Sequence, residues 1–351
     1  MATTKDNKYQ VKIIFDKRRK ECNIGAQNVK YHLGGERYDI FEFKSNELLI
    51  DCSRNKKYED GRILSNNQNS LNLQILKGLI YYYIISNDIP KINSIEIKLI
   101  RQKLGDFIYT DKLDMQPISF KYEKELIFNK EKINIIFKEN EKANAIRIAL
   151  TYWLKGISSD DRYYKFERLW RAYNRLFMFH GGSNKEFDCM KDMRQLIIDN
   201  HELFNKSTII TNSFNSNKLR SFRWRKLILN DYPKINNVGA FKEFICRHSD
   251  KRIMLLIKDM LPYRKDHLLT KGYLSTVESH LSNNINTSND IELVTLLSLK
   301  YAYYVRNKMF HGEISDRTFT VHETDEDIEI DNINTLLSTL IFELIENNHI
   351  L

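Results

Sequence analysis

The chain has 351 residues and a formal net charge of +9, with 42% hydrophobic and 29% charged residues. This composition is typical of globular proteins and argues against wholesale disorder, and the length leaves room for two domains. No apolar run approaches the roughly 18 residues that span a membrane, and the opening segment MATTKDNKYQ lacks the apolar core of a secretion signal.

The first 138 residues predict an α+β domain. Alternation of apolar and polar residues predicts strands at 9–16, 38–43, 47–51 and 94–100, with further strands at 117–122 and 133–137. Ser45 and Asn46 predict a hairpin turn, and the stretch 71–85, dense in Leu, Ile and Tyr, predicts a buried helix. No catalytic motif stands out here, so a role as sensor, partner-binding or RNA-recognition domain stays open.

From Glu139 the pattern becomes helical, and residues 139–351 predict an all-α domain. Helices are predicted at 139–156, 160–180, 187–203, 217–230, 238–261, 273–283, 289–311 and 331–348. Asn289 is a suitable N-cap for the helix 289–311, and Gly312 is a suitable residue to end it. The chain as a whole is therefore predicted to be predominantly helical.

The string VRNKMFHGE closes the 289–311 helix, here called the motif helix, with Arg306, Asn307 and His311. A fixed cation, an orienting amide and a group that titrates near neutral pH suit phosphate chemistry. Asn307 and His311 share a helix face, whereas Arg306 lies about 140° round an ideal helix from His311. The negative end of the helix dipole favours the imidazolium form of His311, which suits a general acid.

Two further polar residues fall on the same face of the motif helix. Counting back from His311 at 3.6 residues per turn reaches Tyr304 and Lys300, which are therefore candidates for supporting roles. A simpler interpretation is an amphipathic core helix whose basic C-terminal turn is solvated, since cations are favoured there in any case.

A second block, KFERLWRAYNRLF, carries an apolar and aromatic string formed by Phe166, Leu169, Trp170, Tyr173 and Phe177. With R-x4-H at residues 306–311, this makes the segment from about 140 to 351 resemble a HEPN domain of the abortive-infection and ApeA-like branch. HEPN domains are an all-helical superfamily of nucleotide-binding and RNase modules whose hallmark is R-x4-H with a polar residue after the arginine. The resemblance implies a helical bundle in which the second block packs against the motif helix.

The resemblance also implies an activity. In active members the ribose 2′-OH attacks the adjacent phosphate without a metal or other cofactor. His311 would then act as general base or acid, Arg306 would stabilise the phosphorane charge, and Asn307 would orient the arginine or the phosphate.

Partners follow from the same resemblance. It implies a homodimer with a composite site, RNA as substrate, and a role in an anti-phage or toxin system, with control by an activator or an antitoxin left open. Antitoxins that adenylylate a tyrosine two residues after the histidine are not expected here, because that position is Glu313.

Arg175 and His180 repeat the R-x4-H spacing inside RLFMFHGG. The residue after this arginine is Leu176, not an amide, and the four intervening residues are all apolar. We therefore interpret Arg175 as an arginine on a core helix and His180 as a helix-end residue, both structural.

Positive charge is concentrated in one part of the chain. Residues 162–230 contain 14 Lys and Arg against 6 Asp and Glu, and within them KLRSFRWRKL (218–227, the basic segment) has aromatic residues between its cations. This combination favours single-stranded RNA, and the candidate contacts are Lys218, Arg220, Arg223, Trp224, Arg225 and Lys226. The alternative is a basic amphipathic helix with one aromatic ring in the core. The acidic stretch 321–332 is predicted to be a loop or a short strand pair.

Two other functions stay open. Some HEPN domains are non-catalytic subunits that bind RNA, nucleotides or a partner, although the intact Arg306–Asn307–His311 set argues for catalysis. A metal-dependent nuclease in the N-terminal domain would need clustered acids at strand ends, and none has convincing spacing. The four cysteines (Cys22, Cys52, Cys189, Cys246) show no C-x-x-C spacing, so we expect no metal site, no disulfide and a cytoplasmic location.

Overall fold

The computed structural model describes residues 7–31, 37–55, 64, 69–86, 90–100, 107–111, 126–310 and 322–351. The chain divides into two compact units, residues 1–160 with 345–349 and 351, and residues 161–344 with 350. The first unit therefore continues past residue 138, where the sequence pattern changes, and includes the next long helix. The predicted strand 117–122 lies outside the described residues.

The first unit contains a six-stranded antiparallel sheet. Its strands are β1 (Asn7–Phe15), β2 (Gly25–Lys30), β3 (Tyr38–Lys44), β4 (Glu47–Arg54), β5 (Ile92–Ile100) and β6 (Phe107–Asp111), in the order β2-β3-β4-β1-β5-β6. The strands predicted at 9–16, 38–43, 47–51 and 94–100 are confirmed. The pattern does not reveal β2, because GAQNVK is poor in the β-branched and aromatic residues typical of strands.

Helix α1 (Ser70–Ser86) packs on the buried face of this sheet, and the prediction of a helix at 71–85 is confirmed. Alternate residues of β1, from Tyr9 to Phe15, face the core because successive strand side chains point to opposite faces. The ring of Tyr82 stacks on Phe15 with centroids 3.9 Å apart. A Cβ at Gly78 would lie 2.6 Å from Cδ2 of Leu48, so glycine allows the helix to approach this closely.

The predicted strand at 133–137 is wrong. Helix α2 (Lys130–Ile133) and a 3₁₀ turn (Asn134–Phe137) occupy it, followed by α3 (Glu141–Ile157). The side chain of Asn129 accepts the backbone N–H of Glu131 at 2.8 Å, which starts the helix. Arg147 of α3 donates to the carbonyl oxygen of Ile136 at 2.8 Å and so satisfies it without a neighbouring strand.

The second unit is helical, so the α+β and predominantly helical class is confirmed. Its helices are α4 (Arg162–Gly181), α5 (Glu186–Asp199), α6 (Asn205–Asn212), α7 (Ser216–Arg220), α8 (Trp224–Asp231), α9 (Val238–Cys246), α10 (Lys251–Met260), α11 (Lys265–Thr270), α12 (Leu274–Asn284), α13 (Asp290–Thr295), α14 (Ala302–Phe310) and α15 (Asp325–Glu346). A π-helical segment, Leu296–Tyr301, joins α13 to α14, so the motif helix is continuous from Asp290 to Phe310.

Two of the predicted helices are each interrupted. The helix expected at 217–230 is divided into α7 and α8, and the helix expected at 238–261 into α9 and α10. In the second case Asp250 accepts the backbone N–H of Arg252 at 2.8 Å and begins a new helix as its N-cap. Residues with good helical periodicity thus form two shorter helices where a capping side chain falls between them.

The acidic stretch 321–332 is not a loop or strand pair, because α15 begins at Asp325. Asp327 accepts the backbone N–H and the hydroxyl of Thr324 at 2.8 and 2.9 Å, which resembles a capping box. Acidic residues in a first helical turn are also favoured by the helix dipole. A run of acids that looked like a solvated loop is therefore a helix N-terminus.

Candidate functional site

The candidate site is built on Arg306 and Asn307 in the last turns of α14. Nη1 of Arg306 donates to Oδ1 of Asn307 at 2.8 Å, so the amide orients the guanidinium. The guanidinium carbon lies 5.0 Å from the ring centroid of Phe310 and 5.8 Å from that of Tyr303. Tyr303 lies three residues before Arg306 and Phe310 lies four residues after it, so helical spacing alone could have identified both rings. Phe310 is 51% exposed, so this cluster reaches the surface of its unit.

The charge of Arg306 is not neutralised by any carboxylate in the described part of the chain. No Asp or Glu there lies within ion-pair distance, and the buried Nε atom has no hydrogen-bond partner among those residues. Buried donors are usually satisfied, so an unmatched guanidinium whose orientation is already fixed suits an incoming anion. His311 and Gly312 lie outside the described residues.

Lys300 and Tyr304 make contacts within the fold. Nζ of Lys300 lies 2.5 Å from Oδ2 of Asp231 and 5.1 Å from the ring centroid of Tyr232, at the C-terminal end of α8. Burial alone would lower the pKa of Lys300, but the neighbouring Tyr232 and Asp231 raise it. Tyr304 is 2% exposed, and burial raises its pKa to about 12. Lys300 therefore holds the motif helix against α8, and Tyr304 is a buried residue of the motif helix.

The π-helical segment alters the geometry assumed for the motif helix. Counting at 3.6 residues per turn identifies residues on one face only where the helix is an α-helix. Leu296–Tyr301 is instead a π-helix, which has a wider turn. The count from Asn307 back to Tyr304 lies within α14 and is unaffected. Lys300 lies inside the π segment, which rotates it relative to the ideal position. Single π turns are frequent at functional sites.

Helix α4 packs against the motif helix through the second block. Phe166, Leu169, Trp170, Tyr173 and Phe177 are all buried. The rings of Trp170 and Tyr303 have centroids 6.0 Å apart. Burial raises the pKa of the Tyr173 phenol, and the adjacent Ser298 hydroxyl partly offsets this effect. Trp170 contacts Tyr303, and Tyr173, one turn later in α4, lies beside Ser298, which is earlier in the motif helix. The two helices are therefore antiparallel.

The antiparallel packing separates the two R-x4-H strings. Arg175 and Arg306 lie on opposite sides of the Trp170–Tyr303 contact, about 12 Å apart along the helix axes at 1.5 Å per residue. His180 is half-buried, and burial lowers its pKa while Asp192 partly raises it. Arg175 does not join the Arg306 cluster.

The basic segment is only partly available to a nucleic acid. Trp224 is 3% exposed and its Nε1 donates to the carbonyl oxygen of Leu219 at 2.7 Å, so it is a core residue and its predicted stacking role is wrong. Phe222 is buried too. The ring centroid of Tyr301 lies 4.6 Å from that of Trp224 and 5.1 Å from that of Phe222. Arg223 forms ion pairs with Glu326 and Glu329 at 3.1 and 2.7 Å and is therefore structural.

The other cations of the basic segment differ in their surroundings. Nζ of Lys218 lies 4.2 Å from the ring centroid of Phe214, and burial lowers its pKa. Arg220 pairs with Asp259 at 2.7 Å. Arg225 and Lys226 are exposed on α8 and are the two candidates best placed to meet a ligand.

Among the described residues, no helix is both long and apolar enough to cross a membrane. In the same part of the chain, no group of three or more His, Cys, Asp or Glu side chains is arranged to hold a metal ion. Comparison with protein-family models, with curated proteins and with solved structures found no match to this chain.

Proposed function

We propose that this protein is a cytoplasmic, metal-independent endoribonuclease that cleaves single-stranded RNA through Arg306, Asn307 and His311. The observation that carries the proposal is the state of Arg306. Its guanidinium is oriented by Asn307 and has no carboxylate partner among the described residues. A cation held in position but not neutralised is what a pentacoordinate phosphorane requires, because negative charge develops on its oxygens.

The proposed reaction needs only groups of the protein and the RNA. A general base removes the proton of a ribose 2′-OH as its oxygen forms a bond to the adjacent phosphorus. The bond from phosphorus to the 5′ oxygen breaks, and a general acid protonates that oxygen. The products are a 2′,3′-cyclic phosphate and a 5′-OH end. We assign His311 to one of these proton transfers and Arg306 to the phosphorane charge.

The resemblance of residues 140–351 to a HEPN domain supports this assignment and extends it. In that superfamily two motif helices usually face each other, so we propose a homodimer in which the partner copy supplies the second histidine. We also propose a role in anti-phage or toxin-type defence, with the N-terminal α+β domain sensing a trigger, a partner or the RNA.

The second candidate is a non-catalytic HEPN subunit that binds RNA, a nucleotide or a partner. It is favoured by one observation, that Lys300 is paired with Asp231 of α8 and Tyr304 is buried, which leaves the motif helix fewer polar groups for chemistry. This candidate predicts binding without cleavage.

The two candidates are separated by cleavage of end-labelled single-stranded RNA in excess EDTA. His311→Ala should abolish the activity, whereas His180→Ala, in the matched R-x4-H string of α4, should retain it. Equal cleavage by wild type and His311→Ala contradicts the nuclease proposal. Binding by wild type with no cleavage supports the second candidate, and cleavage that stops in EDTA indicates a metal-dependent site elsewhere.

A further inference from the structure

We infer that Arg225 and Tyr263 form a stacking site for a base of single-stranded RNA, beside the end of the motif helix. This inference rests on the proposed function, because it names where the substrate of the same site is held. Arg225 lies on the exposed side of α8, and its guanidinium carbon is 4.6 Å from the ring centroid of Tyr263. Tyr263 lies between α10 and α11 and is 41% exposed.

Arg225 differs from Arg220, Arg223 and Lys226 of the basic segment in having no acidic partner among the described residues. Arg220 is paired with Asp259, Arg223 with Glu326 and Glu329, and Lys226 approaches Glu326 at 4.0 Å. An exposed arginine on an exposed aromatic ring contributes little to stability, since neither group is removed from water. The pair therefore presents an available cation and an aromatic surface side by side.

The position of the pair relative to Arg306 follows from contacts at the end of α8. Nζ of Lys308 donates to Oδ1 of Asn230 at 3.1 Å, which places the last turns of α14 alongside the C-terminal turn of α8. Arg225 lies five residues before Asn230, about 7.5 Å along the helix axis at 1.5 Å per residue. Arg306 lies two residues before Lys308 and about 160° away round α14, so a strand that contacts both Arg306 and Arg225 must pass over the end of that helix.

A second arginine anchors the turn that carries the Tyr263 ring. Nε of Arg264 donates to the carbonyl oxygen of Tyr232 at 2.5 Å, and its Nη2 donates to that of Leu229 at 3.3 Å. These bonds anchor the turn that carries Tyr263 to the C-terminal end of α8. They also bring another positive charge to the same end, close to the Lys300–Asp231 pair.

Single-stranded RNA is the ligand that this chemistry fits best. Its unstacked bases can lie on an aromatic ring or a guanidinium plane, while its phosphates pair with nearby cations. Stacking accepts any base, so we expect this site to add affinity without base specificity. Duplex RNA, whose bases are stacked on each other, is not expected to use it.

The test is a binding titration of the full chain in EDTA, monitored by fluorescence anisotropy. The probe is a fluorescein-labelled, fully 2′-O-methylated single-stranded RNA, which cannot be cleaved by 2′-OH attack. Tyr263→Leu and Arg225→Gln should each raise Kd about tenfold, the scale of one lost base stack. Tyr273→Leu is the matched control, because Nζ of Lys242 lies 5.7 Å from that ring on another part of the helical unit, and it should bind like wild type.

Salt dependence separates the two roles. Arg225→Gln should reduce the slope of log Kd against log salt by about one, whereas Tyr263→Leu should leave it unchanged. Wild-type affinity in both variants overturns the stacking site, as does a loss of affinity in Tyr263→Leu that is equal for duplex RNA and single-stranded RNA. A wild type that binds no RNA overturns it as well.

Cleavage of unmodified RNA, measured in parallel, distinguishes failure of this inference from failure of the proposed function. If wild type binds through Tyr263 yet cuts nothing, the stacking site stands and the nuclease proposal falls. If wild type cuts RNA and both variants bind it normally, the nuclease proposal stands and the stacking site falls. We expect Tyr263→Leu to raise KM with little change in kcat, because the ring binds substrate away from the reacting atoms.

Discussion

Arg223 and Glu329 form a buried ion pair in which Nη2 of the arginine lies 2.7 Å from Oε1 of the carboxylate. The backbone N–H of Arg223 also donates to the Tyr301 hydroxyl at 2.8 Å. Burial alone would lower the pKa of Arg223, but its bonds to Glu329 raise it. The pair therefore ties the start of α8 to α15 and to the π-helical turn of the motif helix.

We expect removal of one partner of this pair to be strongly destabilising. The side chain of Glu329 is 1% exposed, so Glu329→Ala leaves the buried Arg223 with only the more exposed Glu326 as counter-ion and should cost about 3 kcal/mol of unfolding free energy. Urea unfolding followed by circular dichroism measures the change. The control is Arg220→Ala, which breaks the half-exposed pair with Asp259 in the same basic segment and should cost at most about 1 kcal/mol. Equal losses contradict the structural role of Arg223.

Asn307→Asp should reduce cleavage more than Asn307→Ala. Oδ1 of Asn307 already accepts from Nη1 of Arg306 at 2.8 Å, so a carboxylate there forms an ion pair and neutralises the guanidinium. We expect the aspartate variant to lose about 10²-fold or more in kcat, as for loss of a transition-state donor. Single-turnover cleavage measures both variants. If the alanine variant is the more damaged of the two, Arg306 does not act as an anion-stabilising charge.

Gly181→Ala should destabilise the helical unit by about 1 to 3 kcal/mol. A Cβ at this position would lie 2.6 Å from the backbone Cα of Cys189, so α4 and α5 approach too closely for any side chain. Gly239→Ala is the matched control, because a Cβ there meets nothing within 4 Å and alanine favours the helix. Thermal unfolding of both variants measures the change. No loss of stability in Gly181→Ala would show that α4 and α5 can move apart without a cost in free energy.

Stability should fall as the pH is lowered below about 6.5, the ordinary pKa of histidine. Burial lowers the pKa of His248, although Glu292 partly raises it, so the fold holds this imidazole neutral while the unfolded chain binds a proton. The unfolded state then binds more protons, and unfolding free energy decreases with decreasing pH until the folded pKa is passed. His248→Gln should flatten this dependence between pH 7.5 and pH 5 in urea unfolding. An unchanged slope excludes His248 as its source.

Local sequence patterns predict those elements whose cause is local. Alternation along β3 and β4 and the Ser45-Asn46 turn between them are enough to predict this hairpin, because one face of each strand is buried. The stretch 133–137 also alternates, but the cap supplied by Asn129 makes it helical. Capping by Asp327 likewise turns an acidic stretch into the start of α15.

In the candidate site too, local sequence patterns predict only those features whose cause is local. Arg306 and Asn307 could be chosen from their spacing, because their contact lies within one helix. The burial of Trp224 and the exposure of Tyr263 depend on how distant segments pack, and periodicity carries no information about this. Lys300 was predicted to support the chemistry, but its partner Asp231 lies on another helix.

The central claim, that the protein cuts RNA by 2′-OH attack without a metal, is tested most directly by a substrate with one ribose replaced. A defined cleavage site is first mapped in EDTA, and the nucleotide 5′ of the scissile bond is then made 2′-deoxy. We predict that wild type leaves this bond intact, cuts the unmodified bond to a 2′,3′-cyclic phosphate and a 5′-OH, and that Arg306→Ala cuts neither. Cleavage of the deoxy-substituted bond, or a 5′-phosphate product, would contradict the account.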